Sequence, residues 1–155
     1  MKATALVPLL LAIAVGTQVE EEEAVLTALK VCSEGITPSE DDLEEISKGE
    51  LKSETAKAVI ACWFKGAEVM KDKMLHKEKT VTFLRALTPG DPKNDNVPLM
   101  QKLAEKCHSL VGQPKDDASE VEAATIIYDC LVREGRAMRL TLQEGNGAAN
   151  ATQPS

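Results

Sequence analysis

The sequence predicts an all-α fold, a compact six-helix domain linked by disulfides. Three observations predict it. Apolar residues recur at the helical period, and β-branched residues never alternate over a useful run. Glycines, prolines and turn formers divide the chain into six such periodic segments. The four cysteines, Cys32, Cys62, Cys107 and Cys130, each fall on the apolar face of a different segment.

The 155-residue chain begins Met1-Lys2, continues "ALVPLLLAIAV" and reaches small residues at Ala14-x-Gly16. A basic start, a short apolar core and a small-residue cleavage site make the pattern of a secretory signal peptide over 1–16. The core is too short to span a bilayer, and no later stretch is long or apolar enough to do so. The expected product is a soluble, secreted, extracellular protein. It has a single helical domain over 17–144 and a small, polar, disordered tail over 145–155.

The elements follow in order. Segment 19–33 opens on Glu20 to Glu23, which complement a helix dipole, and carries Val25, Ala28, Leu29 and Cys32 on one face; Gly35 closes it. Thr37 and Pro38 start a short helix over 38–48, with Leu43 and Ile46 as its apolar points and Gly49 as its end. Ser53 and Thr55 open the third. Ala58, Ala61, Cys62 and Lys65 form one row, and Val59, Trp63, Gly66 and Met70 its neighbour, so a wide arc is buried. Gly66 ends it, leaving "EVMKDKMLHKEK" as a polar connection. Helix 77–87 carries Thr80, Phe83, Leu84 and Leu87. "TPGDPKNDN" over 88–96 is a loop. Helix 97–111 turns Met100, Leu103, Ala104, Cys107, Leu110 and Val111 inward. The last helix starts at Ala118 or Ser119, buries Ala123, Ile126, Ile127, Cys130 and Leu131, and stops at Gly135.

The formal charge of −7 becomes one unit more negative once Lys2 is removed. An acidic chain without a basic stripe is a poor binder of nucleic acid and of anionic membranes. An even number of cysteines in a secreted chain points to two disulfides, and spacing alone allows three pairings. Metal ligation is disfavoured because no C-x-x-C pair exists. Nucleophilic catalysis is disfavoured because His76 and His108 are the only histidines, and His108 diverges from its neighbour Cys107 on a helix. No cofactor is indicated.

Six helices, four helix-borne cysteines, a signal peptide and an acidic mature chain resemble the insect odorant-binding proteins. That family has six cysteines, with three residues between the second and third and eight between the fifth and sixth. On its pattern Cys32, Cys62, Cys107 and Cys130 occupy the first, third, fourth and sixth positions, while Ala58 and Val121 replace the second and fifth. Loss of that pair defines the minus-C branch. "CWFKGAEVMKD" is similar to the family's exit from its third helix, without the glycine commonly found soon after the Asp. The gap from Cys62 to Cys107 is slightly long and fits an enlarged 88–96 loop.

The resemblance implies the pairs Cys32–Cys62 and Cys107–Cys130, and a non-enzymatic carrier of small lipophilic molecules, odorants or pheromones among them, in an apolar cavity. The residues expected to line it are Val59, Trp63, Met70, Met74, Leu75, Phe83, Leu84, Leu87, Leu103, Ile127 and Leu131. Each serves equally well as ordinary core. Met138, Leu140 and Leu142 are candidates for a partial lid, the alternative being a loose tail. Thr80 or Tyr128 offers a hydroxyl for a polar head group, or merely satisfies a local bond. His76 and His108 are candidates for pH-dependent release. Asn150-Ala151-Thr152 is an N-glycosylation acceptor by motif. Glu20 to Glu23 point all round a helix and are a poor calcium site. The rival reading is a secreted helical effector with a filled core. A receptor and a second copy of the chain are the macromolecular partners left open.

Overall fold

The computed structural model describes residues 20–88 and 96–138. The expected signal peptide, residues 89–95 of the loop, Leu140, Leu142 and Asn150 lie outside the described residues. Within them a first helix, α1, covers 20–36. It is followed by α2 (Glu40–Lys48), α3 (Glu54–Gly66), a hairpin of β1 (Met70–Lys71) and β2 (Met74–Leu75), then α4 (Lys77–Ala86), α5 (Val97–Val111) and α6 (Glu120–Ala137).

Local chemistry sets most boundaries. Ser39, not Thr37, caps α2: its hydroxyl accepts from the Asp42 N–H while the Asp42 carboxylate accepts from the Ser39 N–H, a reciprocal capping box. Thr37 instead sits at φ 53, the left-handed turn that ends α1 two residues beyond Gly35. Ser53 caps α3 through the Ala56 N–H, and Ser119 caps α6 through the Glu122 N–H. Gly135 does not stop α6; it is buried inside the helix, which runs on to Ala137.

The expected polar connection after Gly66 is a tight antiparallel hairpin, with Met70 opposite Leu75 and Lys71 opposite Met74. Its turn residues Asp72 and Lys73 both have positive φ, at 53° and 67°. This is the turn whose twist matches a two-residue hairpin, usually built with glycine. Here the turn that favours glycine holds an aspartate and a lysine, both in the left-handed region.

The core joins α3, α4, α5, α6 and the hairpin. Its most enclosed large side chains include Ile60, Phe64, Leu84, Met100, Leu103 and Ile127. The buried arc of α3 is centred on Ile60 and Phe64, which neither expected row contains; Val59 and Ala61 flank it, whereas Ala58, Cys62 and Trp63 are half-buried and Lys65 and Gly66 are exposed. Three residues expected inward face out instead. Leu43 is 43% exposed because α2 turns Asp42 inward, Leu110 is 56% exposed at the edge of the α5 stripe, and Ile126 is 51% exposed on the far side of α6 from Ala124 and Tyr128.

Disulfides join Cys32 to Cys62 and Cys107 to Cys130, each with Cα atoms 5.8 Å apart. The first ties α1 to α3, and the second ties α5 to α6. The acidic start of α1 is not simply solvated: Glu21 reaches Lys79 at 3.9 Å and Glu22 reaches Arg85 at 3.2 Å, pinning α1 to α4. No helix among the described residues is long and apolar enough to cross a membrane.

Candidate functional site

The residues expected to line a cavity converge on one region. Met70, Leu75, Phe83, Leu84, Leu103, Ile127 and Leu131 belong to a single buried apolar cluster, and Trp63 and Leu87 pack against it half-buried. Val59 is fully buried on α3, and Met74 is half-buried on the second strand of the hairpin. Four elements and the hairpin position these side chains through helical spacing: Phe83, Leu84 and Leu87 from α4 and its C-cap, Leu103 from α5, Ile127 and Leu131 from α6. Sequence reasoning omitted Phe64, and it placed Met100 inward without counting it among the lining residues. Phe64 meets Phe83 edge to face, with ring centroids 5.5 Å apart at 87°. Its i+4 spacing from Ile60 was the signal that would have found it.

The polar handles in this region are occupied. Thr80 donates its hydroxyl hydrogen to the His76 carbonyl at 2.7 Å. Tyr128 donates to the Ile46 carbonyl, and burial pushes its phenol up to about 12. Neither hydroxyl projects unpartnered toward the cluster. Trp63 donates its indole N–H to the Leu29 carbonyl at 3.2 Å, so its polar edge holds α1 beside the Cys32–Cys62 bond. Close approach there is helped by Gly66, where an added Cβ would lie 3.0 Å from the Ala28 Cβ. His76 caps α4, its Nδ1 accepting from the Lys79 N–H at 3.4 Å; His108 lies half-buried in the last turn of α5. Met138 closes α6 as its C-cap and packs against the cluster.

A second feature opens to solvent beside the cluster. It is a cleft of about 590 Å³ between the C-terminal turn of α3, the hairpin and the start of α6. Met70 forms its apolar part. Lys65 and Glu120 face each other there at 3.3 Å, and Lys71, Asp72 and Lys73 come from the hairpin. Of the eleven expected lining residues, Met70 belongs to both the cleft and the buried cluster.

Among the described residues no group of His, Cys, Asp or Glu side chains is arranged to hold a metal ion. The cysteines are all consumed in disulfides, so no thiol remains for chemistry.

Comparison with known proteins follows the same lines. A family model described as the PBP/GOBP family matches residues 15–134. No curated protein matches the sequence. Among solved structures, the odorant-binding protein dmelOBP28a from Drosophila melanogaster is similar. Its TM-score is 0.59 at 19% sequence identity, over 80% of this chain and 99% of that one. At that identity the likeness speaks for the fold.

Proposed function

This chain belongs to the PBP/GOBP family, the insect odorant-binding proteins, and we propose that it is a secreted, non-enzymatic carrier of small lipophilic molecules. The observation that carries the proposal is the joint placement of apolar side chains from α3, the hairpin, α4, α5 and α6 in one cluster within a disulfide-linked helical shell. Binding then rests on burial of apolar area, about 25 cal/mol per Å² before the costs of association. With Thr80 and Tyr128 already hydrogen-bonded to backbone, little polar recognition is left inside, and selectivity is broad. The half-buried methionines and leucines at the margin of the cluster adapt to guests of different shape. Secretion accords with the disulfides and with the expected signal peptide.

Native mass spectrometry of the protein from its own fluid tests the reading. The expected result is a chain processed after Gly16 that retains a small lipophilic guest, and a purified protein from which an apolar fluorescent probe is displaced by that guest. Trp63 lies against the cluster, so its emission should shift on saturation. A protein that binds no such probe acts instead through its surface.

A further inference from the structure

We infer that α2 is the door of the carrier, the element that lifts to admit a guest to the apolar cluster and closes behind it. This rests on the carrier reading and adds how the site is reached.

None of the buried members of the cluster is more than 8% exposed, so a guest reaches them only when an element moves. The elements differ in what holds them. Helix α1 buries Val25 and Cys32 and is tied to α3 by a disulfide. The hairpin and the residue before it bury Val69, Met70 and Leu75, and α4 buries Thr80, Phe83, Leu84 and Ala86. Helices α5 and α6 are cross-linked to each other. Helix α2 has one buried residue, and it is a carboxylate, Asp42. Its apolar link to the cluster is the half-buried Ile46, with Leu51 following on the chain after it.

The polar contacts of α2 open at low cost. Asp42 accepts from the Ser53 hydroxyl, Glu45 from the Lys52 and Ser53 N–H groups, and the Ile46 and Lys48 carbonyls from Tyr128 and Arg136. Water replaces each of these partners as the helix lifts, whereas a buried apolar side chain gains nothing in return for exposure. Segments with few buried apolar contacts open at the lowest free energy. Both ends of α2 also have a residue able to absorb rotation. Thr37 at φ 53 and Gly49 at φ 80 are the left-handed residues that flank it. The door lies on the cluster itself, because Tyr128, whose hydroxyl meets the Ile46 carbonyl, belongs to it together with Ile127 and Leu131.

Stopped-flow binding of the neutral fluorophore N-phenyl-1-naphthylamine tests this. Asp42→Ala and Glu45→Ala remove the contacts of α2 with the start of α3 and touch no member of the cluster. If a guest passes only when α2 is lifted, a larger lifted fraction speeds entry and exit alike. Each variant should therefore bind and release the fluorophore about five- to tenfold faster than wild type, with Kd held within about twofold. The retained Kd also shows that the variants are folded. Arg85→Gln, which loosens α1 from α4 by removing the Glu22 pair, should leave both rates at the wild-type value. Unchanged rates in the two α2 variants overturn the inference and leave the carrier reading standing. A weaker Kd without faster association does the same, as does equal acceleration by Arg85→Gln. Absence of saturable binding by the wild-type protein removes both.

Discussion

Two parts of the molecule are held together by different chemistry. Helices α1 and α3, and helices α5 and α6, are joined covalently through Cys32–Cys62 and Cys107–Cys130. Helix α2 carries no cysteine and is held by polar contacts at both ends. At its start the Asp42 carboxylate accepts from the Ser53 hydroxyl at 2.6 Å, and one oxygen of Glu45 accepts from the Lys52 and Ser53 N–H groups at 2.8 and 2.9 Å. At its end the Ile46 and Lys48 carbonyls accept from Tyr128 and Arg136 of α6. The difference teaches where the family's second cross-link has gone. With Ala58 and Val121 at those positions, no disulfide joins the two stapled halves; the shared apolar core holds them, and the polar contacts across them come from this hydrogen-bonded helix and the Lys65–Glu120 pair. The stapled parts answer to redox conditions, and the α2 junction answers to charge.

The largest effect comes from breaking the covalent side. The disulfides span 30 and 23 residues, and each is worth about 3–4 kcal/mol in the chain-entropy model. Against a total stability of about 5–15 kcal/mol, the Cys107→Ala, Cys130→Ala variant should lose a large share of it. Chemical denaturation followed by circular dichroism checks this, and a midpoint equal to wild type would show that packing alone holds α5 to α6.

Next comes the hydrogen-bonded side. Gly49 ends α2 at φ +80, and a Cβ built there would lie 2.6 Å from the Val132 Cγ1 and 2.8 Å from the Arg136 Nη2. Gly49→Ala combines left-handed strain with overlap against a stiff β-branched neighbour. It should cost about 2–4 kcal/mol. The same denaturation measurement reads it, and loss of protection confined to α2 in hydrogen exchange would locate it.

The comparison also separates what the sequence makes legible from what it does not. That the four cysteines form crosslinks was legible, because each sits on a different helix face with no metal or catalytic partner nearby; which ones pair was legible only through the family resemblance. Helices α3, α5 and α6 were legible through period and caps. The α2 anchorage was not. Asp42 reads as a solvated acid in a first turn, and only its contact with Ser53, eleven residues on, makes it a buried capping group. The Tyr128–Ile46 bond spans 82 residues and has no local signal. The hairpin escaped notice because two-residue strands show no alternation and its turn lacks glycine. Among the expected cavity residues, side-chain type identified burial well, but burial is common to a filled core and to a ligand site. That is why the charged cleft beside Met70 was not foreseen.

Tyr128→Phe sharpens the comparison with a smaller effect. The ring keeps its packing and the Ile46 carbonyl loses its α6 partner. That carbonyl still accepts from the Gly49 N–H at 3.2 Å, so the expected cost is about 1 kcal/mol. Thermal unfolding of wild type and variant reads it.

The smallest and most local effect is the response to acid. The Ser53 hydroxyl and then the Ser39 N–H hold the Asp42 carboxyl below its ordinary value of 3.8, and the Ser53 and Lys52 N–H groups hold Glu45 below 4.5. A carboxyl depressed in the folded state contributes stability that is present above the unfolded value and lost as the pH falls through the folded one. The α2 junction should therefore be intact at pH 6 and weaken progressively as the pH drops below about 4. Glu134, held low by Lys106 and then Arg133, shifts the same way, but on helices that the Cys107–Cys130 bond keeps together. Asp129, raised by burial, opposes the trend, because its protonation relieves a cost. Amide chemical shifts followed from pH 6 to pH 2 distinguish the two regions. Residues 40–53 should move and broaden first, while the amides flanking the disulfides hold. Asp42→Asn should remove most of the early change, since an amide cannot titrate, whereas simultaneous movement of both regions would mean that the staples and the polar junction open as one unit.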